Sequence, residues 1–197
     1  ALMQGLADGY FVLPYTIGQF LSSEIRTPAI DPESEEFKTA EQDTRSRLEK
    51  LVSVGGSRSV ESFHRELGLT IWEYCGMSRN AEGLKKAQKK VQELRDEFWS
   101  NVFVPGTMDE LNPELEKATR VADFLELGEM MIVDALDRDE SCGGHFREEY
   151  QTEDGEAVRR DDAFAYVAAW EWSNGEIKLH KENLEFENVE LKTRSYK

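Results

Sequence analysis

The residues of this chain best placed for chemistry lie together in residues 137–150, which read DRDESCGGHFREEY. Two glycines separate Cys142 from His145, and a thiol beside an imidazole is the pairing that a cysteine nucleophile and its base require. No further histidine or asparagine stands in a recognised relation to this pair, and closeness in sequence is neither necessary nor sufficient for catalysis. We therefore interpret the segment as a structural loop packed by its glycines.

A metal site is not predicted. The available ligands lack the short paired spacings with which one loop or helix face presents two ligands to one ion. These ligands are His64, Cys75, Cys142, His145 and His180. Adjacent acids such as Glu148 and Glu149 are expected by number alone among 40 acidic residues, and a general acid–base pair needs environments that separate two pKa values. We expect no catalytic and no metal-binding residue.

The net charge of the chain limits the classes of molecule that it could bind. The 197-residue chain has 24 Lys and Arg against 40 Asp and Glu, a net charge of −16, so nucleic acid and anionic membrane surfaces would be repelled. Its dense basic patch is interpreted as a solvated helix face, with docking of an acidic partner surface as the alternative. That patch consists of Lys85, Lys86, Lys89 and Lys90. No Gly-x-Gly-x-x-Gly follows a strand, so no dinucleotide site is predicted.

Membrane attachment is expected only through a partner, because no apolar run approaches the roughly 20 residues that cross a bilayer. Two cysteines without a secretory-type leader favour reduced thiols in a cytoplasmic compartment. The opening sequence ALMQGLADGY reads as helix from its first residues, with no capping residue before it. This pattern predicts that the chain continues a longer polypeptide.

Hydrophobic spacing predicts the elements that would position these residues. Residues 1–26 indicate a helix, a break at Pro14 and a second helix. One helix is expected on each side of residues 54–57, and two long amphipathic helices follow these two. Ser59, Asn80 and Asn112 are the predicted N-caps, the last followed by proline at the first helical position. Three long helices in succession favour an antiparallel bundle.

The pattern changes after residue 137 to a polar loop and then a β-prone run. That run ends at Asn174-Gly175, a strong hairpin signal, and imperfect alternation over residues 184–191 permits a third short strand. The predicted fold is therefore mainly α with a small β part (α+β). It consists of an antiparallel three-helix, spectrin-repeat-like bundle followed by a small β-hairpin-containing C-terminal subdomain.

Three segments resemble the flavoprotein subunit of succinate dehydrogenase and fumarate reductase. Residues 72–84, WEYCGMSRNAEGL, are similar to the family's tryptophan–glutamate, arginine–asparagine and glycine–leucine pattern at the junction of two bundle helices. Residues 112–140 resemble its last bundle helix. The third segment resembles the family's glutamate–serine–arginine–glycine–alanine–histidine signature; it is the Gly-Gly-His loop with Arg147, Tyr150, Asp161 and Asp162.

Two departures from the family pattern concern that third segment. Cys142 stands where the family usually has arginine, so any ion pair made by that arginine must be absent or rebuilt here. An acidic insertion at residues 152–158 separates Tyr150 from Asp161. The fold assignment survives both changes.

The resemblance implies the C-terminal region of an oxidoreductase that interconverts succinate and fumarate with FAD and passes electrons to an iron–sulfur subunit. It implies three parts: residues 1–35, the end of the FAD-binding domain; residues 36–137, the bundle; and residues 138–197, the loop and β-rich subdomain. Ala1 and Leu2 fall on the pair whose backbone amides hydrogen-bond the flavin pyrimidine edge, at a helix N-terminus.

The resemblance also implies what this chain does within such an enzyme. We expect it to brace the flavin domain and contribute to subunit docking, and to be inactive and without FAD on its own. Trp170 and Trp172 are candidate packing anchors. The implied partners are the upstream FAD-binding domain, the iron–sulfur subunit and, indirectly, a membrane anchor subunit. This places the enzyme peripherally on the cytoplasmic side of the inner membrane.

Without the flavin domain, the uncovered apolar face of residues 1–26 predicts swapping or homodimer contacts of the fragment. Two alternative identities stay open. One is the C-terminal region of L-aspartate oxidase, which resembles the same bundle in a soluble enzyme. The other is a stand-alone helical adaptor whose acidic surface only binds partners.

Overall fold

The computed structural model of this chain describes residues 2–173 and 175–192. Two compact units divide the chain, residues 1–45 and 46–197. The first unit begins with α1 (Leu2–Ala7), passes through a π-helical turn (Asp8–Val12) and continues as α2 (Leu13–Phe20).

Pro14 lies inside continuous helical backbone, so the predicted break at this residue is wrong. A proline in a helix lacks an amide hydrogen, and its ring clashes with the carbonyl four residues earlier. The turn that precedes it is wider than an α turn, because Leu13 donates its backbone N–H to the carbonyl of Asp8, five residues back. We attribute the continuity to this π turn, which delivers the proline to the first turn of α2, where it is tolerated.

The helices of the first unit bury none of their described residues. Tyr10, Phe11 and Phe20 are 74%, 67% and 78% exposed. Large contiguous apolar patches are uncommon on soluble monomers and mark contact sites. The first unit therefore leaves many of its large apolar side chains exposed.

Four helices supply most of the remaining chain: α3 (Glu35–Ser53), α4 (Val60–Tyr74), α5 (Ala81–Asn101) and α6 (Pro113–Asp137). The three predicted N-caps are confirmed. Each side-chain oxygen accepts a hydrogen bond from a backbone N–H three residues on, at 3.3 Å for Ser59, 2.8 Å for Asn80 and 3.1 Å for Asn112. These bonds satisfy donors that a helix start leaves unpaired.

Helices α4, α5 and α6 form the bundle. Phe63, near the start of α4, packs edge-to-face on Phe98, near the end of α5, with ring centroids 5.2 Å apart, while Tyr74 at the end of α4 lies beside Lys86 at the start of α5. These two helices are therefore antiparallel. The core also includes Leu51 from the end of α3. The predicted helical bundle is confirmed.

Two short strands close the end of the bundle where α3 gives way to α4. Strand β1 (Arg58–Ser59) pairs in parallel with β2 (Val102–Phe103). Just before β1, the Gly56 N–H donates to the carbonyl of Val102 at 3.0 Å. A Cβ at Gly56 would lie 2.0 Å from the carbonyl oxygen of Asn101, so only glycine allows these two backbone segments to approach so closely.

The predicted hairpin is confirmed. After the short helix α7 (Asp161–Phe164), strand β3 (Tyr166–Ser173) pairs antiparallel with β4 (Glu176–Asn183) in a continuous register. Gly175 has φ +83°, the left-handed conformation that glycine adopts without strain. Asn174, the other residue of the predicted turn, lies outside the described residues.

The sequence permitted a third strand over residues 184–191. The structure describes these residues and contains no strand there. The Leu184 N–H still donates to the Ala165 carbonyl at 2.9 Å, but the ladder stops there. A strand register is fixed where one face is buried. The large apolar residues Phe186, Val189 and Leu191 are all exposed, so no buried face selects a register.

Candidate functional site

Residues 138–150, called the clasp loop below, join the end of α6 to the connector between α4 and α5, residues 75–80. At its tip, Cys142 and His145 exchange two backbone hydrogen bonds, of 2.8 and 3.0 Å. Gly143 takes φ +59° inside this turn, which explains why glycine follows the cysteine. The two residues that suggested a nucleophile and its base are thus the two ends of a tight turn.

The His145 ring has both nitrogens engaged by groups other than Cys142. Its Nε2 lies 2.8 Å from the Arg138 carbonyl oxygen, and its Nδ1 lies 3.0 Å from a guanidinium nitrogen of Arg79. A carbonyl only accepts and a guanidinium only donates, so Nε2 carries the proton and Nδ1 accepts. Burial lowers the pKa of His145, and the nearby arginines add to that effect. The geometry agrees with a structural histidine.

Arg147 is the most deeply buried cation of the clasp loop, at 2% exposure. Its guanidinium donates to the Ala135 carbonyl in the last turn of α6 at 2.8 Å, and its Nε donates to Glu149 at 3.2 Å. A cation at the end of a helix satisfies free carbonyls and complements the helix dipole. Arg147 therefore caps α6 from within the loop.

Glu140 and Ser141 are also buried, at 2% and 0% exposure. Glu140 accepts from Arg138 Nε and from the Arg160 backbone N–H, both at 2.8 Å. The Ser141 hydroxyl accepts from the Arg147 N–H at 2.8 Å and lies 3.1 Å from the Arg147 carbonyl. Although Cys142 replaces the arginine usual in the resembled family, the buried acid of this loop is fully paired.

The acidic insertion leaves the clasp loop connected. Residues 152–158 form a compact turn, in which the Thr152 N–H donates to the Glu156 carbonyl at 2.8 Å. The chain then returns, and the Val158 N–H donates to the Tyr150 carbonyl at 3.1 Å. The insertion therefore extends a local turn and does not displace the loop from the bundle.

Backbone and side-chain bonds tie the clasp loop to the connector. The Arg79 N–H donates to the Phe146 carbonyl at 3.1 Å, and the Glu148 N–H donates to the Arg79 carbonyl at 2.8 Å. Hydrogen bonds from Asn80 and Ser78 lower the pKa of Glu148. Sequence reasoning missed the contact of Arg79 with His145, since no spacing signal links positions 66 residues apart.

Glu149 reaches the first turn of α5. Its carboxylate accepts from the Ala81 N–H at 2.5 Å, a favourable place for an anion because the positive end of the helix dipole lies there. Burial raises the pKa of Glu149, but the hydrogen bonds that it accepts outweigh burial, and the net shift is downward. The loop thus braces the end of one helix and the start of another.

The hairpin is attached to the same part of the bundle. The Trp170 indole N–H donates to the Asp134 carboxylate in α6 at 2.7 Å. The guanidinium of Arg95 in α5 lies 5.1 Å from the ring centroid of Trp172, within cation–π range. Both predicted anchor residues therefore contact the chain's own bundle. Their contribution to subunit docking stays a prediction.

Replacing Trp170 with phenylalanine is expected to lower the free energy of unfolding by about 1 kcal/mol, because the hydrogen bond to the Asp134 carboxylate is lost. Urea unfolding followed by circular dichroism measures the change. Trp72→Phe is the matched control, since the Trp72 side chain is 82% exposed and should change stability little. Equal losses in the two variants would show that the Asp134 bond contributes nothing.

Two of the four lysines in the basic patch on α5 are paired with acids. Lys89 lies 3.8 Å from Glu93, and Lys90 is paired with Glu66. The hydrogen bond from Lys90, helped by Arg58, lowers the pKa of Glu66 against the effect of burial. This pairing supports the solvated-face interpretation over docking of an acidic partner. Over the described range, no group of three or more His, Cys, Asp or Glu side chains is placed to hold a metal ion.

An apolar groove of about 340 Å³ lies between α4 and α6; we call it the α4–α6 groove. Trp72, Leu127 and Met131 line it and are 82%, 53% and 44% exposed. At its base, a Cβ added to Gly128 would lie 3.4 Å from Leu67, which is an ordinary van der Waals distance.

The sequence-based flavin contacts fall at the start of the first unit. Leu2 is the first described residue of α1 and is 88% exposed. Ala1 lies outside the described residues. The first amides of a helix have no intrahelical partner, so Leu2 stands where a backbone amide is available.

Comparison with known proteins places residues 64–196 in one family model, described as fumarate reductase flavoprotein C-term. An uncharacterized FAD-dependent oxidoreductase of Methanocaldococcus jannaschii is 32% identical over 111 residues, 56% of this chain and 20% of the relative. The fumarate reductase flavoprotein subunit of Escherichia coli is 28% identical over 149 residues, 75% of this chain and 23% of the relative.

Solved structures share the fold. A quinol–fumarate reductase with menaquinol molecules aligns over 87% of this chain and 29% of its own, with a TM-score of 0.73 and 23% identity. The chain thus spans less than a third of the proteins that it matches. None of the helices in residues 2–173 and 175–192 combines the length and the hydropathy that a membrane span requires.

Proposed function

The chain belongs to the fumarate reductase flavoprotein C-terminal family, and we propose that it forms the C-terminal part of a subunit that interconverts succinate and fumarate. The observation that carries this proposal is the family match over residues 64–196, which contain the whole clasp loop. The names of the relatives support oxidoreductase chemistry with FAD. They favour this identity over L-aspartate oxidase and over a stand-alone adaptor.

The proposed role of the second unit is to brace the flavin-binding part of the subunit and to contribute to docking of an iron–sulfur subunit. Two observations support it. The relatives are several times longer than this chain, and the α4–α6 groove leaves apolar side chains uncovered. Burying such side chains against another domain is favourable by about 25 cal/mol per Å². The chain alone is expected to be inactive.

In this proposal the beginning of the first unit forms the end of the flavin-binding domain. Residues 1–35 would belong to that domain, residues 36–137 to the bundle and residues 138–197 to the C-terminal subdomain. The backbone amides of Ala1 and Leu2 would hold the flavin pyrimidine edge, where the helix dipole favours negative charge. Bound FAD supplies the redox chemistry. The exposed start of α1 fits such a contact.

The partners of the complete enzyme follow from the same proposal. They are the iron–sulfur subunit, held directly, and a membrane anchor subunit, reached indirectly. The enzyme would lie peripherally on the cytoplasmic side of the inner membrane. In the isolated chain, the apolar helices of the first unit would contact a second copy, which sedimentation measurements would detect as a dimer.

The coding region ahead of Ala1 in the native gene is the first test. We expect it to encode a dinucleotide-binding glycine motif and a glycine–alanine–asparagine–arginine–leucine segment just before this chain. A start codon at that place would leave a stand-alone bundle and overturn the enzymatic proposal.

Replacing Leu127 with serine tests the brace. In the complete subunit it is expected to weaken domain packing by about 1 to 2 kcal/mol, seen as a lower unfolding temperature and loss of FAD on gel filtration. In the 197-residue chain the same change should cost less, because the Leu127 side chain is already 53% exposed there.

Leu111→Ser is the matched control, since Leu111 is 95% exposed and lies outside the α4–α6 groove. It should leave both proteins unchanged. If Leu127→Ser also left the unfolding temperature and FAD content of the complete subunit unchanged, the α4–α6 groove would not be the bracing surface.

A further inference from the structure

We propose that the clasp loop is a pH-sensitive device, in which protonation of His145 breaks its bond to Arg79 and loosens the grip of the loop on the α4–α5 connector. The proposal is independent of the enzymatic activity. It rests on the position of His145 between the connector and the end of α6, with one ring nitrogen bonded to each.

The chemistry of the two side chains makes the contact conditional on protonation state. Arginine stays charged at all accessible pH values and offers only donors. The neutral imidazole can accept from Arg79 at 3.0 Å, but an imidazolium has no acceptor left. Protonation therefore converts a hydrogen bond into a contact between two cations. The bond from Nε2 to the Arg138 carbonyl is kept in both states.

Charges around His145 oppose its protonation. Arg79 faces the ring from the connector and Arg147 faces it from the loop itself. The Arg138 carbonyl, which accepts from Nε2, acts in the opposite direction and favours the protonated ring. On the acidic side, Asp134 of α6 acts on the ring, but its carboxylate already accepts from Trp170.

Acids paired with Arg138 and Arg147 weaken the positive electrostatic potential around His145 but do not remove it. Glu140 is bonded to Arg138, while Asp139 and Glu149 lie 3.7 and 3.2 Å from Arg147. Because Arg79 stands at hydrogen-bond distance from the ring, its charge is felt most directly. Burial acts in the same direction, since it lowers the pKa of His145.

The sign of the effect follows from linkage. The folded pKa lies below that of an unfolded histidine, about 6.5, so the unfolded chain binds more protons as the pH falls. The contribution of His145 to stability is complete above about pH 6.5 and is lost as the pH falls through the folded pKa. Glu148 and Glu149 also have lowered pKa values, so their bonds persist until more acidic pH.

The loosening should begin locally. Three links join Arg79 to the clasp loop: its side-chain bond to His145 and the two backbone bonds to Phe146 and Glu148. Loss of the side-chain link leaves the two backbone bonds on a connector in which Met77 and Ser78 are exposed and Arg79 is half-buried, and short surface segments of this kind can open locally. The Arg79 and Glu148 amides report this opening.

Hydrogen exchange and urea unfolding of the full chain at pH 7.5 and 5.5 test the proposal, with His145→Gln as the variant. Glutamine can accept from Arg79 and donate to Arg138 but does not titrate. In the native chain, the protection factors of Arg79 and Glu148 should fall several-fold at pH 5.5. The unfolding equilibrium constant should rise by up to about tenfold between the two pH values, because an unfolded histidine with a pKa near 6.5 gains its proton over this interval. In His145→Gln both changes should vanish.

His180→Gln is the matched control, because His180 pairs with Glu171 on the exposed hairpin and should leave the response of Arg79 and Glu148 intact. An unchanged pH response in His145→Gln would overturn the proposal. If that variant failed to fold, ring nitrogen resonances of the native chain would decide. A charged His145 at pH 7.5, or titration without loss of protection at Arg79, would refute it.

Discussion

Replacing Arg147 with alanine is expected to lower the free energy of unfolding by about 3 kcal/mol. The change leaves the Ala135 carbonyl without its donor in a buried place and removes a buried cation from Asp139 and Glu149. Breaking a buried ion pair costs about 3 to 5 kcal/mol. The lower end applies because the side chains of those two acids, 47% and 38% exposed, can be rehydrated. Urea unfolding of the full chain measures the loss.

Two variants separate the causes of that loss. Arg147→Lys keeps the charge but not the planar fork of donors, so an intermediate loss is expected. Arg120→Ala is the matched surface control. It removes an i,i+4 pair with Glu116 in which both side chains are more than 60% exposed, worth at most about 0.5 kcal/mol. If Arg147→Ala cost no more than this control, the capping function assigned to Arg147 would be wrong.

Alanine at Gly56 is expected to destabilise the chain by about 3 kcal/mol, near the upper end of the cost of overpacking. The added Cβ would lie 2.0 Å from the Asn101 carbonyl oxygen and 2.1 Å from its carbonyl carbon. These atoms are backbone and cannot rotate away. The β1–β2 pairing and the Gly56 bond to Val102 must therefore shift. The midpoint of urea unfolding measures the change.

The same substitution at Gly68 is the control. Gly68 lies inside α4, and an added Cβ would meet nothing within 4 Å. Alanine there should stabilise the chain by about 0.5 to 1 kcal/mol, because glycine is a poor helix former. The two glycine variants should therefore change stability in opposite directions. A neutral Gly56→Ala would mean that the two segments do not approach as closely as described.

The clasp loop explains why its sequence suggested chemistry. Cysteine, histidine, arginine and acids crowd into residues 138–150, a composition that also occurs at catalytic centres. In the structure their polar atoms form hydrogen bonds with one another and with helix ends: Arg147 bonds to the end of α6, and Glu149 bonds to the start of α5. A crowded polar loop can therefore serve to join helices rather than to act on a substrate.

Features governed by neighbours in sequence were predicted correctly. The N-caps at Ser59, Asn80 and Asn112 and the hairpin turn at Gly175 each depend on a few consecutive residues. Helical periodicity identified the bundle for the same reason, since the residues that form one helix face lie within a few turns. The family resemblance also rested on short contiguous motifs.

Two local sequence signals did not decide the conformation of their segments. Pro14 predicts a break, but a π turn ahead of it keeps the helix continuous. Alternation over residues 184–191 permitted a strand, yet without a buried face no register was selected. In the first case the preceding residues 8–12 determine the conformation, and in the second case the exposed side chains offer no face that fixes a register.

By itself the sequence determined the class of fold, the helix starts, the hairpin and the family, because propensities, caps and motifs act over short distances. Only the tertiary structure decided which side chains meet. His145 bonds to Arg79 and Trp170 to Asp134 across 66 and 36 positions, and Gly56 faces Asn101 for reasons of space alone. These contacts arise from packing helices and loops in three dimensions, and no spacing in one dimension encodes them.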